Sequence, residues 1–168
     1  MGITTTMVTE NNIYETPINR SEISKDLANL ISSVDLCKKN YQILAGSTRS
    51  AQLKAMCKKY ATERAEFVSS LYSNLTSFSG LSVNESGRFS GEIKTTWTNL
   101  MNSLKGITDF VILDAVITSE LMAQESYDVY LLNHIPPIEH LHLLTHQKKG
   151  IKRALSELKS LQPDFSIA

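Results

Sequence analysis

Residues 53–78 read LKAMCKKYATERAEFVSSLYSNLTSF, and their apolar side chains recur at the spacing of one helix face. One position on that face is a cation, Arg64, where the spacing predicts an apolar residue. A charged side chain that faces a protein core needs a partner of opposite charge. The functional question therefore becomes what Arg64 and its neighbours Glu63 and Glu66 meet on other helices. The apolar positions are Leu53, Cys57, Tyr60, Phe67, Leu71 and Phe78.

A first helix with the same periodicity precedes this segment. Ser21 is suited to cap its start, and Gly46 is suited to end it. The GSTRS turn at residues 46–50 is short, so the two helices are expected to pack antiparallel. The inward positions of this helix are Ile23, Leu27, Leu30, Val34, Cys37, Tyr41 and Leu44.

Two more long helices are predicted in the second half of the chain. The third begins near Asp109 and ends before Pro136 and Pro137. The fourth follows this proline corner and should stop at Pro163. Both place polar side chains on the inward face, and their inward positions are Phe110, Leu113, Ile117, Glu120, Gln124, Tyr127 and Leu131, then Leu141, Leu144, Lys148, Ile151, Leu155 and Leu158.

The remaining segments complete an all-α architecture. Residues 1–20 lack a usable period and predict a flexible N-terminal arm. The loop after the second helix leads into Glu92–Leu104, which predicts a short helix anchored by Trp97. We expect one four-helix-bundle domain over residues 21–163, with this short helix in the crossover between the second and third long helices, and a frayed tail over residues 164–168.

Composition excludes several classes of function. Lys plus Arg and Asp plus Glu number 17 each, so no net charge attracts nucleic acid or anionic lipid. The N-terminus lacks the pattern of a secretory signal, and no apolar run approaches the roughly 18 residues of a membrane span. We find no nucleophile beside a base and no glycine-rich phosphate loop. A cytoplasmic protein without nucleic-acid or membrane partners is expected.

Two cysteines, Cys37 and Cys57, lie on the inward faces of the first two helices. Each is ten residues from the centre of the turn near Ser47, so both are expected at the same height in the bundle. Two interpretations stay open. The thiols lie in contact as small buried hydrophobic groups, or they form a redox disulfide, which requires their Cα atoms to lie within about 7 Å.

Several features of the chain together resemble a known family. They are TERAEF at Thr62–Phe67, WTNL at Trp97–Leu100, and Ser119–Glu120 followed by Tyr127, with the proline corner before the last helix. In order and spacing, residues 22–162 resemble a bacterial family of ferritin-like four-helix-bundle domains that bears the label domain of unknown function. The resemblance implies a crossover that lies along the bundle. No settled biochemical activity comes with the label.

Di-iron ferritin relatives carry a glutamate on the first and third helices and Glu-x-x-His on the second and fourth. Here the first helix has no inward acid, and ERAE at residues 63–66 is not followed by a suitably spaced histidine. Glu139 and His142 have the right spacing. However, Glu120 lies 16 residues before Pro136 and Glu139 only three after it, which separates the two acids by about 20 Å along the bundle.

The antiparallel pairing about the proline corner predicts a buried polar layer instead. It places Gln124 opposite Lys148, and a crossover that spans the bundle would bring Arg64 within about one helical turn of Lys148 and slightly more of Glu120. We expect one acid and two bases to neutralise each other in the interior and to repel a dication. The predicted layer is Arg64, Glu120, Gln124 and Lys148.

An alternative set of residues suggests metal binding. His142 and His146 lie four residues apart on one helix face and can chelate a transition ion through two imidazoles. A solvated or interface surface is the other interpretation of this histidine pair. The complete alternative ligand set is Glu63, Glu66, Glu120, Glu125, His142 and His146.

These observations lead to two functional hypotheses. The first is a non-enzymatic ferritin-like bundle without a cofactor, which forms a homodimer and acts through its surface as an interaction or stress-associated module. The alternative is a metal-dependent oxidase or metal-storage protein that binds iron or manganese. Metal analysis distinguishes them, because the alternative requires about two metal ions per chain.

Overall fold

The computed structural model describes the backbone of residues 17–79 and 108–165, with side chains over 22–74 and 108–165. The described residues form four helices and no strand, so the predicted all-α four-helix architecture is confirmed for this part of the chain. The predicted short helix Glu92–Leu104 and its Trp97 lie outside the described residues, as do residues 1–16 of the predicted arm. The helices are α1 (Pro17–Ser47), α2 (Ala51–Ser79), α3 (Asp109–Asn133) and α4 (Ile138–Phe165).

Two helix ends differ from the sequence predictions. α1 begins at Pro17, ahead of Ser21, because proline at the first helical position lacks only an N–H group that would have no helical partner there. α4 continues through Pro163 to Phe165, since proline's fixed φ is helical and the residue lies in the last turn. Residues 17–20 and 164–165 are therefore helical in this structure.

The turn between α1 and α2 also holds the start of α3. The Ser50 hydroxyl accepts a hydrogen bond of 3.2 Å from the Leu53 N–H and caps α2. Thr48 donates from Oγ1 to Oδ1 of Asp109 over 2.6 Å, and the Arg49 N–H donates to the same oxygen over 3.0 Å. One carboxylate thus joins three helix ends, and it sits at the N-terminus of α3, where the helix dipole favours negative charge.

α1 runs antiparallel to both α2 and α3. The short turn at residues 48–50 reverses the chain between α1 and α2. Along the contact between α1 and α3, residue numbers fall on one helix as they rise on the other. The paired side chains are Asn40 with Ser119, Ser33 with Ser126, and Asp26 with His134.

α4 packs antiparallel against α3 and, on its other side, against α2. At one end Tyr60 of α2 donates a hydrogen bond to Glu157, and further along Gln147 donates to the carbonyl oxygen of Phe67. α2 and α3 therefore run parallel and face each other diagonally across the bundle. Consequently Ser79 and Asp109 lie at opposite ends of the bundle.

The core follows the predicted helix faces closely on α1 and α2. Every predicted inward position of α1 is buried, as is every described one of α2. On α3 the prediction for Phe110 is wrong, because this side chain is 39% exposed while Ile112 and Leu113 fill the core at that end. Four helices thus enclose one core, and its middle contains Arg64 and Glu120, both with 0% exposure.

Candidate functional site

Arg64 lies at the middle of α2 with an aromatic ring on each side along the helix. Tyr60 precedes it by four residues and Phe67 follows it by three, so all three side chains share the inward face. The guanidinium carbon lies 5.6 Å from the Tyr60 ring centre and 4.9 Å from the Phe67 ring centre. Both rings present their electron-rich faces to the cation and exclude water from it.

The guanidinium of Arg64 is bound to Glu120 of α3 across the bundle. Its Nε donates to Oε1 and Oε2 of Glu120 over 3.1 and 3.2 Å, and Nη2 donates to Oε1 over 2.5 Å. Nη1 donates to Oε1 of the half-buried Glu63 over 2.9 Å. Burial alone would lower the pKa of the Arg64 guanidinium, but the Glu120 carboxylate outweighs burial and the pKa is raised.

Tyr41 of α1 provides a further donor to the same carboxylate. Its hydroxyl donates to Oε1 of Glu120, and its ring lies 5.7 Å from the ring of Tyr60, measured between centres. Burial and then the charge of Glu120 raise the pKa of the Tyr41 hydroxyl well above its ordinary value, so it stays protonated and can donate. Three helices therefore supply the charged centre of the bundle.

Two neutral hydrogen-bonded groups extend this polar layer. Asn40 donates to the Ser119 hydroxyl over 3.2 Å, one residue before Tyr41 and Glu120 on their helices. On the other side, Tyr127 donates to Gln147 over 2.6 Å, and the Gln147 amide donates to the Phe67 carbonyl oxygen over 3.3 Å. These side chains are buried and hydrogen-bonded, as the cost of burying a polar group requires.

Two members of the predicted layer lie elsewhere. Gln124 is only half-buried, and Lys148 forms an ion pair with Asp128 near the surface. A helical side chain leaves its backbone toward the helix N-terminus, so Lys148 reaches toward the proline corner and meets Asp128, not Gln124. The structure brings together Arg64 and Glu120 from the predicted set, and adds Tyr41, Glu63 and the hydrogen-bonded pair of Tyr127 and Gln147.

Sequence reasoning missed Gln147 and Tyr41 as members of this layer. The buried positions in this part of α4 are Leu144, Gln147 and Ile151. The next inward residue after Leu144 is therefore three positions along the helix, not four. Tyr41 was placed on the inward face of α1, but nothing in its spacing shows that its hydroxyl meets an acid on α3. A buried tyrosine needs a hydrogen-bond partner, and this requirement was the available signal.

The structure does not bring the alternative metal ligands together. Glu120 is engaged by Arg64 in the core, whereas Glu66, Glu125, His142 and His146 are exposed. Glu120 and Glu125 are five residues apart, so their side chains point to nearly opposite sides of α3. Within residues 17–79 and 108–165, no three His, Cys, Asp or Glu side chains form a group that could hold a metal ion.

The four histidines divide between the core edge and the solvent. His134 Nε2 lies 2.6 Å from Oδ2 of Asp26 on α1, and the His134 ring lies 4.9 Å from the Tyr130 ring. His140 is buried with its ring edge-on to Tyr130 at 6.0 Å, and burial lowers the pKa of His140 to about 4. His142 and His146 face solvent on α4.

Cys37 and Cys57 are free, buried thiols in this structure. Cys37 lies close enough to Glu120 that burial and this negative charge together raise the pKa of the thiol well above its ordinary value. Burial raises the pKa of the Cys57 thiol to about 12. Both thiols are therefore protonated near neutral pH, whereas nucleophilic attack requires the thiolate.

Family comparison covers the region that builds this layer. Residues 22–132 match the family model described as Domain of unknown function (DUF2383), and they include Tyr41, Arg64 and Glu120. Searches of curated proteins and of solved structures found no match. Among the described helices, none combines the length and apolarity needed to cross a membrane. Since the match extends from α1 nearly to the end of α3, about two thirds of the chain, the protein belongs to the DUF2383 family.

Proposed function

We propose that this protein is a non-enzymatic, ferritin-like helical bundle that acts through its surface as an interaction module. α2 ends and α3 begins at opposite ends of the bundle, and a four-helix bundle with one long crossover, as in ferritin-like folds, has this arrangement. The parallel, diagonal placement of α2 and α3 supports this part of the proposal. The family description carries no activity, so the function is argued from the side chains alone.

The observation that carries the proposal is the engagement of Glu120. Both of its carboxylate oxygens accept hydrogen bonds from Arg64, and one also accepts from Tyr41. In ferritin-like metal enzymes, inward acids of this kind bind the metal ions. Here the acid is neutralised by a guanidinium with 0% exposure, and that cation would repel a dication beside it. The centre of the bundle therefore supports a structural role.

The surface supports the interaction part of the proposal. Among the described residues, several large apolar side chains are exposed on α3 and on the corner that follows it. Leu132 is 84% exposed and Ile135 is 79% exposed. Single exposed apolar residues are common on soluble proteins, but a cluster of them marks a surface that another molecule covers.

Metal analysis of the untagged full chain tests the non-enzymatic part. The protein is purified from cells grown with added iron and manganese, without a histidine tag, and its metals are counted by mass spectrometry. We expect far less than one ion per chain. About two ions per chain, lost in a Glu120→Gln variant, would instead establish the di-metal oxidase or storage protein.

A homodimer in the cytoplasm, without nucleic acid, belongs to the same proposal. The exposed Ile135 and Ile138 at the proline corner provide apolar surface that a second subunit can cover. Multi-angle light scattering measures the mass of the chain in solution. A mass that stays at one chain up to about 100 μM, a concentration at which even weak dimers form, would reject the dimer.

A further inference from the structure

The outward side of α3 is unusually apolar for a helix that already buries its other side. Large hydrophobic side chains are exposed there in the first turn and again over the second half of the helix. They are Phe110, Leu121, Met122, Val129 and Leu132, which we call the α3 outer face together with the acids between them. Of the exposed large hydrophobic residues in the described part of the chain, five of eight belong to this face.

This apolar face lies beside a groove. α1 and α3 enclose a cleft of about 380 Å³ whose walls include Met122 and Val129 from the outer face. Leu30 and Leu36 of α1 form part of its apolar lining. A helix that is apolar on both sides is normally covered on both sides. The groove and the face together therefore form one continuous surface that can bind apolar side chains of another molecule.

The charge on this helix has one sign. α3 contains five acids and neither lysine nor arginine. Asp109 and Glu120 are engaged with the turn and with Arg64, and Asp128 is paired with Lys148. Asp114 and Glu125 remain on the outer face, and the charged residues that line the groove are Glu125 and Asp26. Two exposed acids without a base on their own helix therefore lie among the apolar side chains of this face.

A second copy of this chain fits the face poorly. Two α3 outer faces related by a two-fold axis would bring acids against acids. Among the residues whose side chains the structure describes, the exposed bases lie mainly on α2 and α4, for example Lys58 and Lys152. Over the described residues of those two helices, Ile138 is the only exposed large hydrophobic residue. Neither helix offers the apolar stripe that the outer face would need.

We propose that the α3 outer face binds an amphipathic helix of a partner protein, whose apolar stripe is flanked by lysine or arginine. This inference rests on the proposed interaction function and specifies its partner. From Phe110 to Leu132 the face extends about 33 Å, which matches a partner helix of about 20 residues. Apolar side chains of the partner fill the groove, as in other complexes of a helix with a groove, and its bases meet Asp114 and Glu125.

Direct binding of two model peptides to the intact chain tests the proposal. The probe is an amphipathic helix of about 18 residues made of leucine and lysine, and the control has glutamate in place of each lysine. Fluorescence anisotropy is expected to show micromolar binding of the lysine peptide, with the glutamate peptide at least tenfold weaker. Equal binding of the two peptides, or no binding of either, would overturn the proposal.

Matched variants locate the binding. Glu125→Lys on the outer face is expected to weaken the lysine peptide about tenfold, and Leu132→Ser about fivefold or more. Glu66→Lys makes the same charge reversal at an exposed acid of α2 and should change affinity less than twofold. Since all three sites are exposed, circular dichroism should show an unchanged fold. Equal losses at Glu125 and Glu66 would show nonspecific attraction and reject the α3 outer face.

Two further measurements distinguish a failure of the proposed docking surface from a failure of the proposed function. Light scattering that shows a dimer broken by Leu132→Ser would assign the face to a second copy and overturn the proposed partner. A metal-free chain that binds neither peptide would reject the docking surface alone. About two metal ions per chain would instead overturn the proposed function, whatever the peptides do.

Discussion

The guanidinium of Arg64 and the carboxylate of Glu120 form a fully buried ion pair between two helices that face each other diagonally. Neither side chain has any exposed surface, and Nη2 of Arg64 lies 2.5 Å from Oε1 of Glu120. Most helix contacts in this bundle join neighbours, as α1 does with α2 and α3. The pair instead crosses the centre of the bundle, so it fixes the position of α2 along the bundle axis relative to α3.

The pair should show strong coupling in a double-mutant cycle. Arg64→Leu leaves the Glu120 carboxylate buried without its counter-ion, which is expected to cost about 3–5 kcal/mol of unfolding free energy. The double variant Arg64→Leu with Glu120→Leu removes both charges and should recover most of that loss. Urea denaturation of the wild type, the two single variants Arg64→Leu and Glu120→Leu, and the double variant measures this. A double variant no more stable than Arg64→Leu alone would contradict the pairing.

Two tyrosines provide a matched test of the charged layer. Tyr41 donates to the carboxylate of Glu120, while Tyr127 donates to the neutral amide of Gln147. Hydrogen bonds to charged groups contribute about 1.5–3 kcal/mol and neutral ones about 1 kcal/mol, so Tyr41→Phe should destabilise more than Tyr127→Phe. The unfolding free energies of the two variants give the comparison. A larger loss for Tyr127→Phe would argue against a charged Glu120.

Gly150 marks a close approach of α4 to α2. A Cβ atom placed there would lie 2.8 Å from Cζ of Phe67 and 2.9 Å from Oε1 of Glu63. Alanine gains about 1 kcal/mol of helix propensity over glycine, whereas crowding a packed core costs about 1–3 kcal/mol. Gly150→Ala is therefore expected to be destabilising by up to about 2 kcal/mol.

Gly46 is the control for this substitution. It also lies in a helix, near the end of α1, but a Cβ atom there would meet nothing within 4 Å. Gly46→Ala should therefore stabilise the protein by about 0.5–1 kcal/mol. Thermal unfolding of both variants checks the contrast. If both changes stabilise the protein, the helices are not packed as closely at Gly150 as described.

Buried His140 should make stability fall in mild acid. Its pKa is about 4 in the folded protein against an ordinary value of 6.5, because burial disfavours the charged ring. Between those pH values the unfolded chain binds the proton and the native chain does not. The contribution of His140 to stability is therefore fully present above pH 6.5 and is lost as the pH falls from about 6.5 to 4. The loss amounts to at most about 3 kcal/mol.

A variant isolates this effect from other acid-sensitive groups. His140→Phe keeps an aromatic ring edge-on to Tyr130 but cannot titrate, so its unfolding free energy should fall less between pH 6.5 and 4 than that of the wild type. His142→Gln, at an exposed position of the same helix, should behave like the wild type. Identical pH profiles for His140→Phe and wild type would show that His140 does not contribute.

Much of the bundle could be predicted from the spacing of apolar residues along each helix. The inward faces of α1 and α2 could be predicted because apolar residues three and four positions apart share a helix side whatever the neighbouring helices are. Arg64 stood out for the same reason, as a cation on an otherwise apolar face. Arg64 and Glu120 both lie on inward faces, whereas their complete burial depends on the helices packed against them.

Helix register could not be predicted to the nearest residue. From Leu144, a step of three leads to Gln147 and a step of four leads to Lys148, and periodicity permits both. Contacts with Tyr127 and the Phe67 carbonyl oxygen place Gln147 inside, while Lys148 meets Asp128 near the surface. A rotation of about 100° per residue separates these outcomes, and only packing between helices selects one.

The amino-acid sequence alone therefore determined the helical class, the inward faces of α1 and α2 and the position of a cation on one of those faces, because these follow from residue spacing along one helix. The tertiary structure decided which groups surround that cation. Tyr41 meets Glu120 across 79 positions of sequence, and Arg64 meets it across 56. Contacts at such separations depend on helix height, direction and rotation together, and a periodic pattern only narrows the choice of rotation.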